Sequence, residues 1–482
     1  MSGARDWEVV IGLEVHAQLR TASKIFCACA ASFGGEPNSR CCPVCLGLPG
    51  ALPVLNRRAV ELALRIALAT DCRIAPESRF ARKHYFYPDL PKGFQISQYE
   101  LPLAEAGHLD IAAGAAPRRI RVRRIHLEED AGKSLHGAGS TRVDLNRAGV
   151  PLVEIVSEPD LARPEEAHEY LRRLRQLLVH LEVCDGSMEE GSLRCDANVS
   201  LRQPGEPLGV KTELKNLNSF RGVEAALKSE IARQAALLAA GGRVEPQTLL
   251  WDAAARRARP MRGKEETEDY RYLPEPDLPP LVIDPAQLAA VRASLPELPA
   301  ARAARYEAAL GLPAYDADLL TAEPDLAAYF EAVVAALGDA KLAANWVMGE
   351  VLRRAVPGAS LAAFPVSPAA LADLLGRVQA GELSNSAAKT VFEHMAAAGG
   401  SAAAWLERLG LRRLDDTAAL AAEADALLAA SPQELARYRA GDAKLFGWFV
   451  GQLMAATEGR ADPREAARLL RERLDVPGGE PR

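Results

Sequence analysis

Between residues 9 and 19 an apolar residue stands at every second position. Val9, Ile11, Leu13, Val15, Ala17 and Leu19 share one parity, and Glu14, His16 and Gln18 fall on the other. The same pattern returns at 193–202, where Leu193, Cys195, Ala197, Val199 and Leu201 oppose Arg194, Asp196, Asn198, Ser200 and Arg202, and at 210–215. A period of two with one polar side predicts strands in a sheet covered on one face only. The polar sides carry acids, amides and a histidine, so they read as a working surface. Helical spacing predicts helices over 56–70, 164–181 and 223–240, the last stopped by Gly241-Gly242.

From Ala300 onward alanine and leucine dominate and the helical period is nearly continuous, with Gly399-Gly400 dividing this half. Prolines between Leu273 and Pro280, and again at Pro296 and Pro299, close the preceding region. The expected class is α+β: a mixed or antiparallel sheet domain over 1–293, an all-α domain over 294–402 and a small all-α tail over 403–482. A length of 482 residues accommodates three such units. The net charge of −6 excludes a protein that coats nucleic acid through bulk charge. No apolar run is long enough to span a membrane, and residues 1–7 lack a secretory or transit pattern, so the cytoplasm is the expected compartment.

Five of eight cysteines crowd between Cys27 and Cys45. Cys27-x-Cys29 and Cys42-x-x-Cys45 are two close pairs, each able to clamp one side of a tetrahedral Zn²⁺. Four thiolates leave no position open for water, so such a zinc is structural. Cys41 is a fifth candidate with no place in that shell, and free buried cysteines are the competing reading.

Glu14 and His16 project from one side of the first strand. Ile125-His-Leu-Glu-Glu-Asp130 places His126, Glu128 and Asp130 on one face if its strand runs unbroken. Carboxylates with an imidazole suit a hard or borderline divalent ion such as Mg²⁺; a solvated acidic turn is the bland alternative. Gly132-Lys133-Ser134 is not a phosphate loop, because Leu127 stands where the first glycine is required. Gly137-Ala-Gly139 lacks the third glycine of a dinucleotide fingerprint. ATP, if bound, sits outside the common motifs, with Lys133 available as a phosphate cation. Arg82–Gln98 mixes bases and aromatics in a way that suits nucleotide or RNA contact. Arg118, Arg119, Arg121, Arg123 and Arg124 form a basic run that also fits a solvated edge strand. No serine-nucleophile elbow or Ser/Lys amidase signature is present, so any ammonia must come from a partner.

Several segments resemble the B subunit of the bacterial glutamyl/aspartyl-tRNA amidotransferase. They are Val10-Ile-Gly-Leu-Glu-Val-His16, Cys42-Pro-Val-Cys-Leu-Gly-Leu-Pro-Gly50, Tyr85-Phe-Tyr-Pro-Asp89, His126-Leu-Glu-Glu-Asp-Ala-Gly-Lys-Ser134 and Val153-Glu-Ile-Val-Ser-Glu-Pro-Asp160. Further matches are Met188-Glu-Glu-Gly-Ser-Leu-Arg-Cys-Asp-Ala-Asn198, Glu213-Leu-Lys-Asn-Leu-Asn-Ser-Phe220 and Asp269-Tyr-Arg-Tyr-Leu-Pro-Glu-Pro-Asp277, with Asn345-Trp-Val-Met-Gly349 and Gly447-Trp-Phe-Val-Gly-Gln452 in the helical half. The resemblance implies a cradle domain, a helical domain and a YqeY-like tail, assembled with an amidase A subunit and a small C subunit. It implies ATP-dependent phosphorylation of the misplaced side-chain carboxylate of Glu-tRNA(Gln) or Asp-tRNA(Asn), followed by attack of ammonia released from glutamine by the A subunit. By motif position it points to Glu14, His16 and Glu128 for Mg²⁺, with Glu129, Glu154, Glu190 and Asp196 as neighbouring acids. Lys83, Lys92 and Lys133 are the candidate phosphate contacts. The tail departs from the family pattern: Ala455 and Glu458 stand where lysines are common, and 405–482 holds 12 Lys/Arg against 13 Asp/Glu. Contact with tRNA there would need a local patch such as Lys444 and Arg460. The residues alone also fit a zinc-stabilised RNA-binding scaffold, or an amide ligase acting on a free amino acid. The long helical tail speaks against the ligase.

Overall fold

The structure is a computed structural model and describes residues 7–113, 116–137, 139–261, 270–356, 358–411, 417–457, 461 and 463–474. Two compact units divide the chain, Met1–Pro299 and Ala300–Arg482. Arg460, Glu458 and Asp269, named above, lie outside the described residues.

In chain order the strands of the first unit are β1 (Glu8–Gln18), β2 (Arg73–Ile74), β3 (Glu77–Ser78), β4 (Ala81–His84), β5 (Phe94–Ser97), β6 (Ala104–Ala113), β7 (Ala116–Glu129) and β8 (Lys133–Gly137). They continue with β9 (Ser140–Asp144), β10 (Pro151–Ser157), β11 (Leu193–Arg202), β12 (Thr212–Leu217), β13 (Gln247–Asp252), β14 (Arg257–Pro260), β15 (Leu273–Pro274) and β16 (Leu281–Val282). Nine of them form one sheet in the order β14-β13-β12-β11-β1-β10-β7-β6-β2. Every neighbouring pair is antiparallel except β12 and β13.

One face of this sheet is apolar. Ile11, Leu13, Val15 and Ala17 of β1 are buried together with Ala197 and Val199 of β11. Helices α2 (Arg57–Ala69), α3 (Pro164–His180) and α4 (Phe220–Ala239) contribute to the same core, following the four-residue α1 (Pro43–Leu46) in the chain. The Asn56 side chain caps α2 by accepting from the Arg58 amide at 2.9 Å. Ser219 caps α4 through the Gly222 amide, so this helix starts at Phe220, three residues ahead of the onset its apolar spacing predicts.

The second unit is helical, and its apolar residues form two separate clusters. One runs from Ala303 to Leu411 and includes Ala402 and Leu406 of the helix Ala402–Leu409. The other runs from Leu420 to Leu474. A π-helical turn at Val347–Val351 overlaps the Asn345-Trp-Val-Met-Gly349 segment. There the buried Glu350 carboxylate receives Arg354 at 2.7 Å and Lys389 at 3.1 Å. The whole is α+β, and among the described residues no helix is long and apolar enough to cross a membrane.

Candidate active site and metal centres

The polar face of the sheet is organised by register. Directly opposed residues in an antiparallel ladder project to the same side. Arg194, His16, Glu154 and His126 therefore form one row across β11, β1, β10 and β7. Gln18, Leu152 and Glu128 form the next row on one side, and Asp196, Glu14, Val156 and Arg124 the next on the other.

Four titratable groups meet at the centre. His16 Nε2 lies 3.7 Å from Glu128 Oε1 and 3.5 Å from Glu154 Oε2. His126 Nε2 lies 3.2 Å from Glu154 Oε2 and 3.8 Å from Glu128 Oε2. Glu128, Glu154 and His126 are all buried, and buried charges persist only when paired or metal-bound. Burial opposes charging of His126, but Glu154 and Glu128 outweigh it and push its pKa up to about 9. Burial likewise works against His16, whose pKa Glu154 and Glu128 nevertheless raise. Glu154 pays the same burial penalty and is still held well below the usual carboxylate range, by His126 and His16. Among the described residues, the buried His126 Nδ1 has no hydrogen-bond partner.

These donors fit a divalent ion. One ligand atom from each of His16, Glu128 and Glu154 lies within 4.8 Å of the others. Adjacent ligands of an octahedral ion with bonds of about 2.1 Å stand about 3 Å apart, so the observed 3.5 and 3.7 Å require only a small contraction.

The other expected site residues are distributed as follows. Glu14 lies outside that triad. Its carboxylate accepts from Asn198 Nδ2 at 3.0 Å, and burial together with Glu154, Glu213 and Asp196 raises its pKa. Asp196 shares Lys215 with Glu213, both at 3.0 Å. Glu129 pairs with Lys92 and accepts from the Ile96 amide at 2.8 Å. Lys83 places its ammonium 4.5 Å from the centre of the Tyr270 ring. Lys133 is exposed at the start of β8, and Glu190 is exposed in the turn before β11. Among the described residues neither forms an ion pair. β7 ends at Glu129, yet the buried Asp130 still reaches this face, held by Gln18 Nε2 at 2.8 Å and Arg194 Nη2 at 2.9 Å.

Aromatic groups add to the site. Tyr99 and Tyr272 stack with centroids 3.9 Å apart at 9°, and the Arg124 guanidinium stands 5.9 Å from the Tyr99 ring. Burial and then Glu128 and Glu154 raise the Tyr272 pKa, which ties this stack to the acidic centre. Tyr99 falls one residue beyond the basic-aromatic stretch read from the sequence, and nothing in the alternation announces its stacking partner.

Cys27, Cys29, Cys42 and Cys45 form the second group, with Cys41 outside it. The Sγ–Sγ distances to Cys45 are 3.4 Å from Cys27, 3.7 Å from Cys42 and 3.8 Å from Cys29. Tetrahedral zinc with bonds of about 2.3 Å spaces its sulfurs about 3.8 Å apart, so these donors fit zinc. The Cys45 pKa falls to about 4 because the Cys27 thiol donates to it. The knuckle turns at Gly47, the C-cap of α1 with φ 62°; a Cβ there would meet Lys92 Cγ at 2.4 Å. A cavity of about 250 Å³ lies between this knuckle and the Lys92–Glu129 pair.

Comparison with known proteins adds the family. Residues 9–289 match the GatB/GatE catalytic domain, and residues 328–474 match the GatB domain. The B subunit of the aspartyl/glutamyl-tRNA(Asn/Gln) amidotransferase of Syntrophotalea carbinolica is 54% identical over 97% of this chain and 98% of its own length. The B subunits of the same enzyme from Moorella thermoacetica and Halorhodospira halophila are 53% and 54% identical, again over 97% of this chain and 100% and 99% of theirs. The chain belongs to the family of amidotransferase B subunits. Both metal-fitting clusters and the aromatic stack fall within residues 9–289, the part matched by the family's catalytic domain.

Proposed function

We propose that this chain is the subunit that binds mischarged Glu-tRNA(Gln) and/or Asp-tRNA(Asn) and activates the side-chain carboxylate with ATP in the cytoplasm. An amidase A subunit and a small C subunit complete the enzyme and supply ammonia from glutamine. The observation that carries this reading is the meeting of His16, Glu128 and Glu154, two of whose carboxylates act on Tyr272 of the Tyr99–Tyr272 stack. Phosphoryl transfer needs positioning and charge neutralisation more than a protein nucleophile, and this face offers both.

In this reading His16, Glu128 and Glu154 would hold Mg²⁺, with Glu14 as a further carboxylate on the same face. The chemistry such an ion would supply there is neutralisation of phosphate charge during the transfer. A substrate carboxylate oxygen attacks the γ-phosphorus, ADP leaves, and an acyl phosphate forms. Ammonia then attacks the acyl carbon; phosphate departs and one proton is lost. Lys83, Lys92 and Lys133 are the proposed phosphate contacts, and Lys92 must exchange Glu129 for phosphate to serve. Glu129, Glu190 and Asp196 are assigned to the surrounding acidic shell. The four cysteines hold a structural zinc. The three-part division at 1–293, 294–402 and 403–482 belongs to the same reading.

The test is co-expression with the A and C subunits and an amidation assay on both mischarged tRNAs with ATP and Mg²⁺. Tight tRNA binding without tRNA-stimulated ATP turnover would return the chain to a scaffold role. A second expectation concerns the stack. Tyr99→Ala is expected to raise KM for mischarged tRNA or ATP about tenfold, since one base–aromatic stack contributes about 1–3 kcal/mol, with kcat nearly unchanged. Steady-state kinetics check this, and a drop in kcat at constant KM would remove the stack from substrate binding.

A further inference from the structure

The Lys24 side chain is fully buried, beside the four-cysteine cluster. A lysine ammonium is almost never fully buried without a partner that offsets its charge. Lys24 Nζ donates to Arg40 O at 2.8 Å, to Leu145 O at 3.4 Å and to Cys45 Sγ at 3.5 Å. None of these is a carboxylate. The charge is left to the sulfurs, and four thiolates around one Zn²⁺ carry a net charge of about −2.

We propose that Lys24 is the resident counter-charge of the four-cysteine zinc centre and fastens that centre to the strand end bearing Glu129 and Asp130. The second half rests on how the backbone is sewn around it. The Lys24 amide donates to Cys29 O at 2.9 Å, inside the cysteine loop. The next amide, Ile25, donates to Gly149 O at 2.9 Å, and Gly149 donates to Asp130 O at 2.9 Å. The lysine stem passes under Gly149: a Cβ there would stand 3.5 Å from Lys24 Cδ and 4.0 Å from Glu129 Oε2. A single side chain thus touches a metal-binding sulfur at its tip and runs past the acidic strand end along its stem. Outer partners of metal ligands set metal affinity by orienting the ligands and balancing their charge.

The inference rests on reading the cysteines as a zinc site, which the zinc content of the purified wild-type chain tests separately by mass spectrometry. With zinc present, Lys24→Met removes the charge and keeps the stem, Lys24→Gln keeps an amide able to reach the carbonyls, and Lys24→Arg keeps the charge. Zinc transfer from the full chain to a colorimetric chelator is followed over time. Both neutral variants are expected to release zinc at least about tenfold faster than wild type, in line with the ~10–100-fold cost of losing an outer-shell partner. Lys24→Arg should stay within about threefold. Release at the wild-type rate from a folded Lys24→Met or Lys24→Gln chain would overturn the proposal and leave Lys24 a clamp on two carbonyls. If neither neutral variant folds in excess zinc while Lys24→Arg does, charge is again the deciding property. If Lys24→Arg fails with them, shape decides and the proposal falls.

Discussion

Glu128→Ala is expected to reduce mischarged-tRNA-dependent ATP hydrolysis by at least about a hundredfold in the assembled enzyme, while glutamine hydrolysis by the partner amidase persists. A metal ion supplies several kcal/mol of charge stabilisation to a transferring phosphoryl group, and each 1.4 kcal/mol is about tenfold in rate. Glu128 faces both imidazoles, at 3.7 and 3.8 Å, so its removal takes away one of two carboxylates and leaves His16 and His126 competing for Glu154 alone. The buried site then loses the negative charge that draws a cation in. Ser97, whose hydroxyl stands 3.4 Å from Glu128 Oε2, is too short to replace it. Radiolabelled ATP turnover with and without mischarged tRNA measures the effect. A wild-type rate in a folded Glu128→Ala enzyme would mean that nucleotide and metal meet elsewhere.

Periodicity exposed the strands with one polar face and concealed those buried on both. β1 and β11 each have one polar face, so their alternation is plain in the sequence, and the side on which Glu14, His16, Arg194 and Asp196 project follows from it. β10 and the end of β7 are buried on both faces: Leu152, Val153, Glu154 and Ile155 are all buried, as are all residues from Ile125 to Asp130. Where both faces are covered, a charged residue inside an apolar run shows that a strand carries something unusual but not what it meets. Glu154 therefore read as a neighbouring acid, although register sets it directly opposite His16 on one side and His126 on the other. Register is a property of pairing across some 140 residues of chain, and no local pattern encodes it. Lys24 was concealed for a related reason: the partner of a lone lysine in Ser23-Lys-Ile-Phe26 is visible only once the cysteine loop has closed over it.

Cys45→Ser is expected to cut bound zinc to below about a tenth of wild type and to lower the melting temperature of the first unit by about 6–20 °C. Between Cys27 and Asn56, Cys45 alone is buried, and the regular structure there amounts to the four-residue α1. A segment of that length without a core cannot offset its own ordering entropy, about 1–2 kcal/mol per residue for the backbone. A structural zinc can, with apparent binding energies of about 10–16 kcal/mol in isolated fingers. Cys45 is the sulfur to remove because the other three thiols all lie within 3.8 Å of it and Lys24 donates to it. The rest of the unit has its own continuous core, so the effect is a loosened knuckle rather than global unfolding. A loss of about 3–5 kcal/mol, at about 2–4 °C per kcal/mol for a unit of this size, gives the range stated. The damage should also reach the acidic strand end, because Gly47 packs on Lys92 and Lys92 holds Glu129. Calorimetry and metal analysis on the same preparation decide the matter: a variant that has lost its zinc yet melts with the wild type would show that the loop is held by its hydrogen bonds alone.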